Sequence, residues 1–160
     1  MIRNVIDEDI REICKIYNYY IKNTIVTFEE KLISVDEMAK RVNEIRSGFP
    51  YYVYMENEKV IGYTYARNWR TRDAYRYSVE STVYLDHESL GKGIGTKLYT
   101  TLLNELREKK FHAVMAGIAL PNEKSQYLHE KLGFKKIAHL SEVGFKFDKW
   151  IDVGYWELIL

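Results

Sequence analysis

With 160 residues the chain fits one domain, leaves little room for a second, and is long enough to bury a sizeable core without staples. Its 46% apolar and 29% charged residues are ordinary for a soluble globular protein. A formal net charge of +1 gives no electrostatic sleeve for DNA or RNA, so no nucleic-acid partner is expected.

The single cysteine, Cys14, excludes an internal disulfide framework and points to a reducing compartment. It falls in a helical apolar pattern and reads as a small core residue. The amino terminus lacks the apolar stretch of a signal peptide, and no apolar run is long enough to cross a bilayer. A cytoplasmic protein with no membrane partner is expected. Tyrosine is abundant, at 14 residues, and supplies apolar bodies with polar tips that suit pocket walls, interfaces and half-buried strands.

In chain order, Ile2 to Ile6 has a short strand pattern. Asp7-Glu8-Asp9 then offers cap and first-turn carboxylates for a helix whose buried face is Ile10, Ile13, Cys14, Tyr17 and Ile21. Ser34 followed by Glu37 reads as a capping box for a second helix, running to about Ser47 and ended by Gly48 and Pro50. Tyr51 to Met55 and Val60 to Trp69 are predicted strands joined by a polar turn. A polar, arginine-bearing connection, Trp69 to Tyr75, precedes the strand Tyr77 to Leu85. A glycine turn opens the next helix, which runs to about Lys109 and is buried through Ile94, Leu98, Leu102 and Leu106. The strand Ala113 to Ile118 follows, then a helix from Pro121-Asn122 to about Leu132 with Gly133 as its stop. Lys135 to Ser141 and Asp152 to Ile159 are the last strands.

The strand at 77–85, its helix and the strand at 113–118 make one βαβ unit, expected to be parallel and right-handed, while the earlier strands read as a meander. The expected fold class is therefore α/β: a mixed, largely antiparallel sheet of about seven strands, with four helices on both faces. There is no internal repeat, low-complexity segment or linker.

The segment Gly91-Lys92-Gly93-Ile94-Gly95 sits between strand and helix. Glycines there allow backbone angles closed to other residues and let a ligand approach the main chain. The unpaired amides of the helix start carry partial positive charge, so the turn suits a phosphate or pyrophosphate. A P-loop would need Gly-Lys-Ser/Thr, whereas the order here is Gly95-Thr96-Lys97. A dinucleotide fingerprint needs GxGxxG, and these glycines give GxGxG. A glycine-rich connection with no ligand remains the structural alternative.

With Leu90 to Gly95 before it, and with Asn122 opening a helix that ends in Leu132-Gly133-Phe134, the chain resembles the GNAT superfamily of N-acetyltransferases. Leu90 departs from the Gln or Arg usual in that family's signature. Thr27-Phe28-Glu29, Trp69-x-x-Arg72-x-Ala74-Tyr75, Glu80 to Tyr84, Leu128-His129-Glu130, and Gly144-Phe145-Lys146 with Trp150-x-Asp152-Val153-Gly154 look like phosphinothricin N-acetyltransferases. The resemblance implies transfer of acetyl from acetyl-CoA to the α-amine of small amino-acid analogues, by direct attack in a ternary complex. The implied acceptors are phosphinothricin, methionine sulfoximine and methionine sulfone, and the implied assembly is a homodimer.

The resemblance also assigns roles. Pantetheine pairs with the strand edge at Val83, Tyr84 and Leu85, where an amide near Leu85 polarises the thioester carbonyl. Pyrophosphate rests on the amides of Gly91, Lys92, Gly93, Ile94, Gly95 and Thr96, and Asn122 contacts the pantetheine arm or serves as a helix cap. Glu80 is the candidate base, since the attacking amine must lose a proton. His129 is the candidate acid or relay. Phe28, Glu29, Arg72 and Tyr75 are expected to bind the acceptor, with Arg72 offering a fork for a carboxylate or phosphinate. Trp150 and Asp152 shape the closing loop or the dimer contact.

The four histidines show no metal-ligand spacing, so no metal is expected. Three other readings stay open at this level: a polyamine acceptor, a protein N-terminus as acceptor, and a non-catalytic acyl-CoA sensor.

Overall fold

The computed structural model describes residues 1–160. Seven strands form one sheet in the order β1-β2-β3-β4-β5-β7-β6. The strands are β1 (Ile2–Asn4), β2 (Tyr51–Glu56), β3 (Lys59–Asn68), β4 (Ser78–Leu85), β5 (Ala113–Leu120), β6 (Lys135–Lys146) and β7 (Lys149–Ile159). The helices are α1 (Ile10–Asn23), α2 (Val35–Arg46), α3 (Ile94–Glu108) and α4 (Glu123–Lys131). The β4–β5 pair is parallel, as a helical crossover requires, and every other neighbour is antiparallel. No helix is long and apolar enough to cross a membrane.

Side-chain alternation divides the sheet into two faces. One packs on α1 and α2 through Ile10, Ile13, Ile16, Met38 and Val42 against Val53 and Tyr63. The other packs on α3 and α4, with Tyr99, Leu102 and Leu106 against Ala66, Val79, Val114 and Trp156. Trp156 is fully buried, and its indole donates to Glu130 on α4 at 3.2 Å. Cys14 is buried in the α1–α2 core, as its place in the pattern predicts.

Local signals explain most element ends. The Ser34 hydroxyl accepts from the Glu37 amide at 3.1 Å and starts α2, but the Glu37 carboxylate turns to Arg41 instead of closing the box. Asp7 to Asp9 form a short 3-10 turn rather than a helix cap. The Asp9 carboxylate is taken by Arg3, at 2.7 and 2.8 Å, and by the Ile6 amide.

The last two strands are longer than the sequence pattern predicts. They close through Phe147 and Asp148, both with left-handed φ, as a two-residue hairpin. Residues 142–146 were hidden because the β6–β7 register shifts between Leu140 and Gly144, which breaks the alternation.

Candidate functional site

The parallel pairing of β4 with β5 covers only Ser78–Ala113, Val79–Val114 and Glu80–Met115. Beyond Glu80 the two strands part, and β5 continues alone against β7 as far as Leu120. The antiparallel register fixes which way β4 points. Asp86 donates its amide to Ile61 at 2.9 Å, so alternate residues Val83 and Leu85 turn their main-chain groups away from β3, toward the opening. A carbonyl on that edge is already used, because the Tyr20 hydroxyl donates to Leu85 O at 2.7 Å.

A cavity of about 1020 Å³ passes through this opening. Its walls include Tyr65, Arg67 and Glu80 from the α1–α2 face and Ser81, Tyr99 and His129 from the α3–α4 face. Glu80 and His129 thus stand on opposite sides of β4, both at the gap. Glu80 is half-buried and pairs across the ladder with Arg67, whose guanidinium donates to it at 3.0 and 3.3 Å.

His129 is 4% exposed, and both ring nitrogens are engaged. Nδ1 lies 2.7 Å from Ser125 O, which can only accept, so Nδ1 carries the proton. Nε2 then accepts from the Tyr99 hydroxyl at 2.9 Å, and Tyr99 is in turn 2.6 Å from Ser81 Oγ. Burial pulls the His129 pKa below the ordinary histidine value, against the opposing pull of the Ser125 carbonyl, so the ring is neutral at pH 7. Burial also drives the Tyr99 hydroxyl above the ordinary phenol range, so it stays protonated.

The glycine turn lies at the α3 start, on the same side as Leu85. Gly91 has φ +79° and Gly93 has φ +74°. A Cβ at either would meet nothing within 4 Å, so the requirement is the left-handed backbone and not space. Gly93 is the residue that caps α3, no carboxylate occupies the first turn, and the Ile94, Gly95 and Thr96 amides begin the helix. Lys92 is exposed and 4.0 Å from Glu56, while Leu90 is exposed and apolar. Asn122 accepts from the Ser125 amide at 3.1 Å, which makes it the α4 cap, and it also lines the cavity.

The loop between α1 and α2 carries Phe28 and Glu29 to the cavity wall. Arg41 grips both Glu29 oxygens at 2.8 Å, and the Tyr17 hydroxyl donates to the same carboxylate. The Arg41 bonds lead in holding the Glu29 pKa below the usual carboxylate value. Phe28 lies against Gly144, where a Cβ would come within 2.4 Å of its ring. Lys146, 2% exposed, donates to Thr24 O and Thr27 O at 2.8 Å each and fastens the loop to the hairpin.

Arg72 and Tyr75 stand elsewhere. Arg72 caps the exposed 3-10 turn Asp73–Tyr75, and neither lines the cavity. The polar wall there comes from Arg67, Asn68, Thr71 and Tyr155. Sequence pattern did not single out these four, nor Arg41, Ser81 or Tyr99. Only register and tertiary packing bring them to the gap. Arg67 alone had a local signal, an exposed-type charge inside an apolar strand.

A parted parallel pair, a glycine-capped helix beside it and a cavity through the gap define an acyltransferase of the GNAT type. The model of the acetyltransferase (GNAT) domain matches residues 2–154, and the chain belongs to that family. It is an N-acetyltransferase. Among its relatives is the phosphinothricin N-acetyltransferase of Streptomyces viridochromogenes, 36% identical over 98% of this chain and 85% of that one. The L-methionine sulfoximine/L-methionine sulfone acetyltransferase of Salmonella typhimurium is 35% identical over 95% and 90%. A solved phosphinothricin acetyltransferase from Sinorhizobium meliloti, in complex with AcCoA, superposes with a TM-score of 0.97 at 36% identity, covering 100% of this chain and 88% of that one.

Proposed function

We propose that this chain transfers the acetyl group of acetyl-CoA to the α-amine of a small amino-acid-like acceptor. The observation that carries the reading is the gap beyond Glu80, with a carboxylate on one side and a buried hydroxyl–imidazole chain on the other. The residues fit acetyl-CoA in three places: the outward main-chain groups of Val83 and Leu85, the left-handed Gly91 and Gly93, and the open amides at the α3 start. Acetyl-CoA supplies the activated acetyl group. The Leu85 amide is placed to donate to a carbonyl oxygen at the gap, and the α3 amides receive the pyrophosphate.

On the α1–α2 side, Glu80 takes the proton of the acceptor's ammonium, directly or through water. Arg67 holds that carboxylate in place and is itself on the cavity wall. On the α3–α4 side, neutral His129 fixes the Tyr99 hydroxyl; as the amide forms, the acceptor nitrogen sheds its second proton, which neutralises the departing thiolate beside the Ser81–Tyr99–His129 chain. His129 therefore acts through Tyr99, with its own Nδ1 proton held by Ser125. Phe28 and Glu29 shape the acceptor end. Arg72, next in the chain to the wall residue Thr71, is left as a guide for the acceptor's α-carboxylate. A homodimer is part of this reading, supported by the exposed apolar strip Val143, Phe145, Phe147 and Trp150 on the hairpin. Light scattering after size exclusion tests it, and a monomer at micromolar concentration rejects it.

The deciding assay is release of free thiol over a panel of amino acids, their sulfone and phosphinate analogues, polyamines and peptides. Turnover of amino-acid analogues is expected. Turnover confined to peptides or polyamines rejects the assignment.

A further inference from the structure

Deepening the acetyl-transfer reading and resting on it, we propose that Tyr51 and Tyr63 form the subsite that selects the acceptor's side chain. The selection is for a neutral side chain that ends in a hydrogen-bond-accepting oxygen. The cavity of about 1020 Å³ runs through both faces of the sheet, and one end of it lies away from Asn122 and His129. That end lies between α2 and the sheet. Met38, Val42 and Ile45 line one side, and Tyr51, Tyr63 and Tyr65 the other.

These tyrosines come together because of register. Tyr51 pairs with Tyr65, and Val53 with Tyr63, so all three rings share the α1–α2 face. They stack with centroids 5.0 Å apart for Tyr51–Tyr65 and 5.9 Å for Tyr51–Tyr63. Tyr51 is 3% exposed and Tyr63 is 2% exposed. Neither hydroxyl bonds to a protein atom, yet no buried side-chain oxygen in the molecule lacks a partner. Both hydroxyls therefore retain accessible area, and the space they open on is the cavity they line. Burial holds both phenols well above their ordinary pKa, so each is a neutral donor at any working pH.

Charge on the walls then decides the class of side chain. Arg41 is matched by Glu29 and Glu37, and Arg67 by Glu80. Glu44 is the remaining carboxylate on the wall, and it is exposed to solvent. An anionic side chain finds no free cation in this lobe, and a cationic one finds no buried anion without a partner. A sulfone, sulfoxide or carboxamide oxygen at the end of an apolar stem meets two phenol donors and an apolar wall.

The test compares acceptors that differ only at that oxygen: methionine sulfone against methionine, and glutamine against glutamate. In the unaltered protein, kcat/KM for methionine sulfone is expected to exceed that for methionine by about tenfold, as one or two neutral hydrogen bonds imply. Tyr51→Phe and Tyr63→Phe should each reduce that ratio about threefold or more, chiefly through KM for the sulfone. General damage to the fold lowers both acceptors together and leaves the ratio intact. A ratio that stays at its original value in both variants overturns the subsite, as does a preference for glutamate over glutamine. If no amino acid releases thiol at all, the transferase reading fails first and takes the subsite with it.

Discussion

Replacing Lys146 by methionine should loosen the acceptor loop and lower stability by about 2–3 kcal/mol. The figure follows from what the ammonium does. It is buried, no carboxylate lies within ion-pair distance, and it donates to Thr24 O and Thr27 O, neither of which has another protein donor. Methionine fills much the same volume, so cavity formation contributes little. Each deserted carbonyl costs roughly 1–3 kcal/mol where water cannot follow, and removing a desolvated ammonium offsets part of the sum. Burial does draw the Lys146 pKa below the ordinary lysine value, which is the sign of that desolvation. Urea denaturation at pH 7 measures the difference directly. For a domain of this size the thermal midpoint should fall by roughly 4–12 °C. A loss under about 0.5 kcal/mol would show that the loop is held without Lys146 and would refute the reasoning.

Three further outcomes are expected. Glu80→Gln should lower kcat by roughly a hundredfold and flatten the acidic limb of the pH–rate profile, and an unaltered limb removes Glu80 as the base. Gly93→Asp keeps a residue type that tolerates φ +74° but sets a carboxylate at the phosphate site, so calorimetry should show CoA affinity falling at least tenfold; equal affinity would sink the phosphate assignment. The third concerns acid stability. The folded-state pKa of His129 lies below its ordinary value of 6.5, so the unfolded chain binds the extra proton first and stability falls as pH drops through 6.5 toward the folded value. His129→Gln should remove that slope in denaturation midpoints measured between pH 7 and 5, and a slope unchanged by the substitution rejects the buried neutral ring.

Much of the fold could be read from the chain because its signals are local. Ser34 and Asn122 are genuine caps, α3 buries the predicted Ile94, Leu98, Leu102 and Leu106, and the βαβ unit is parallel. Residues 142–146 were missed for a physical reason, since a register shift destroys the two-residue period on which strand recognition depends. The site was legible only in part. Glu80 and His129, picked out by the resemblance, both line the cavity, but nothing in the order of residues says that they flank one strand from opposite sides. Arg72 is expected at the acceptor because its fork matches two anionic oxygens, yet it caps an exposed turn, and Arg67 lines the cavity instead. Tyr51 and Tyr63 read as strand tyrosines like the others, and only the β2–β3 register and packing against α2 set them deep in the cavity wall.

The parting of β4 from β5 also bears on how the molecule is inhibited. Under the proposed reading, β4 is a partition one strand thick, with a separate doorway for each reactant. A compound lodged among the tyrosines leaves the α3 doorway clear, so it should compete with the acceptor and leave CoA affinity unchanged. A conjugate joining both reactants has to thread the slit beside Glu80 before either end can seat. Its bridge must therefore be slender there, and adding bulk to that bridge should cost it more affinity than adding bulk to either end.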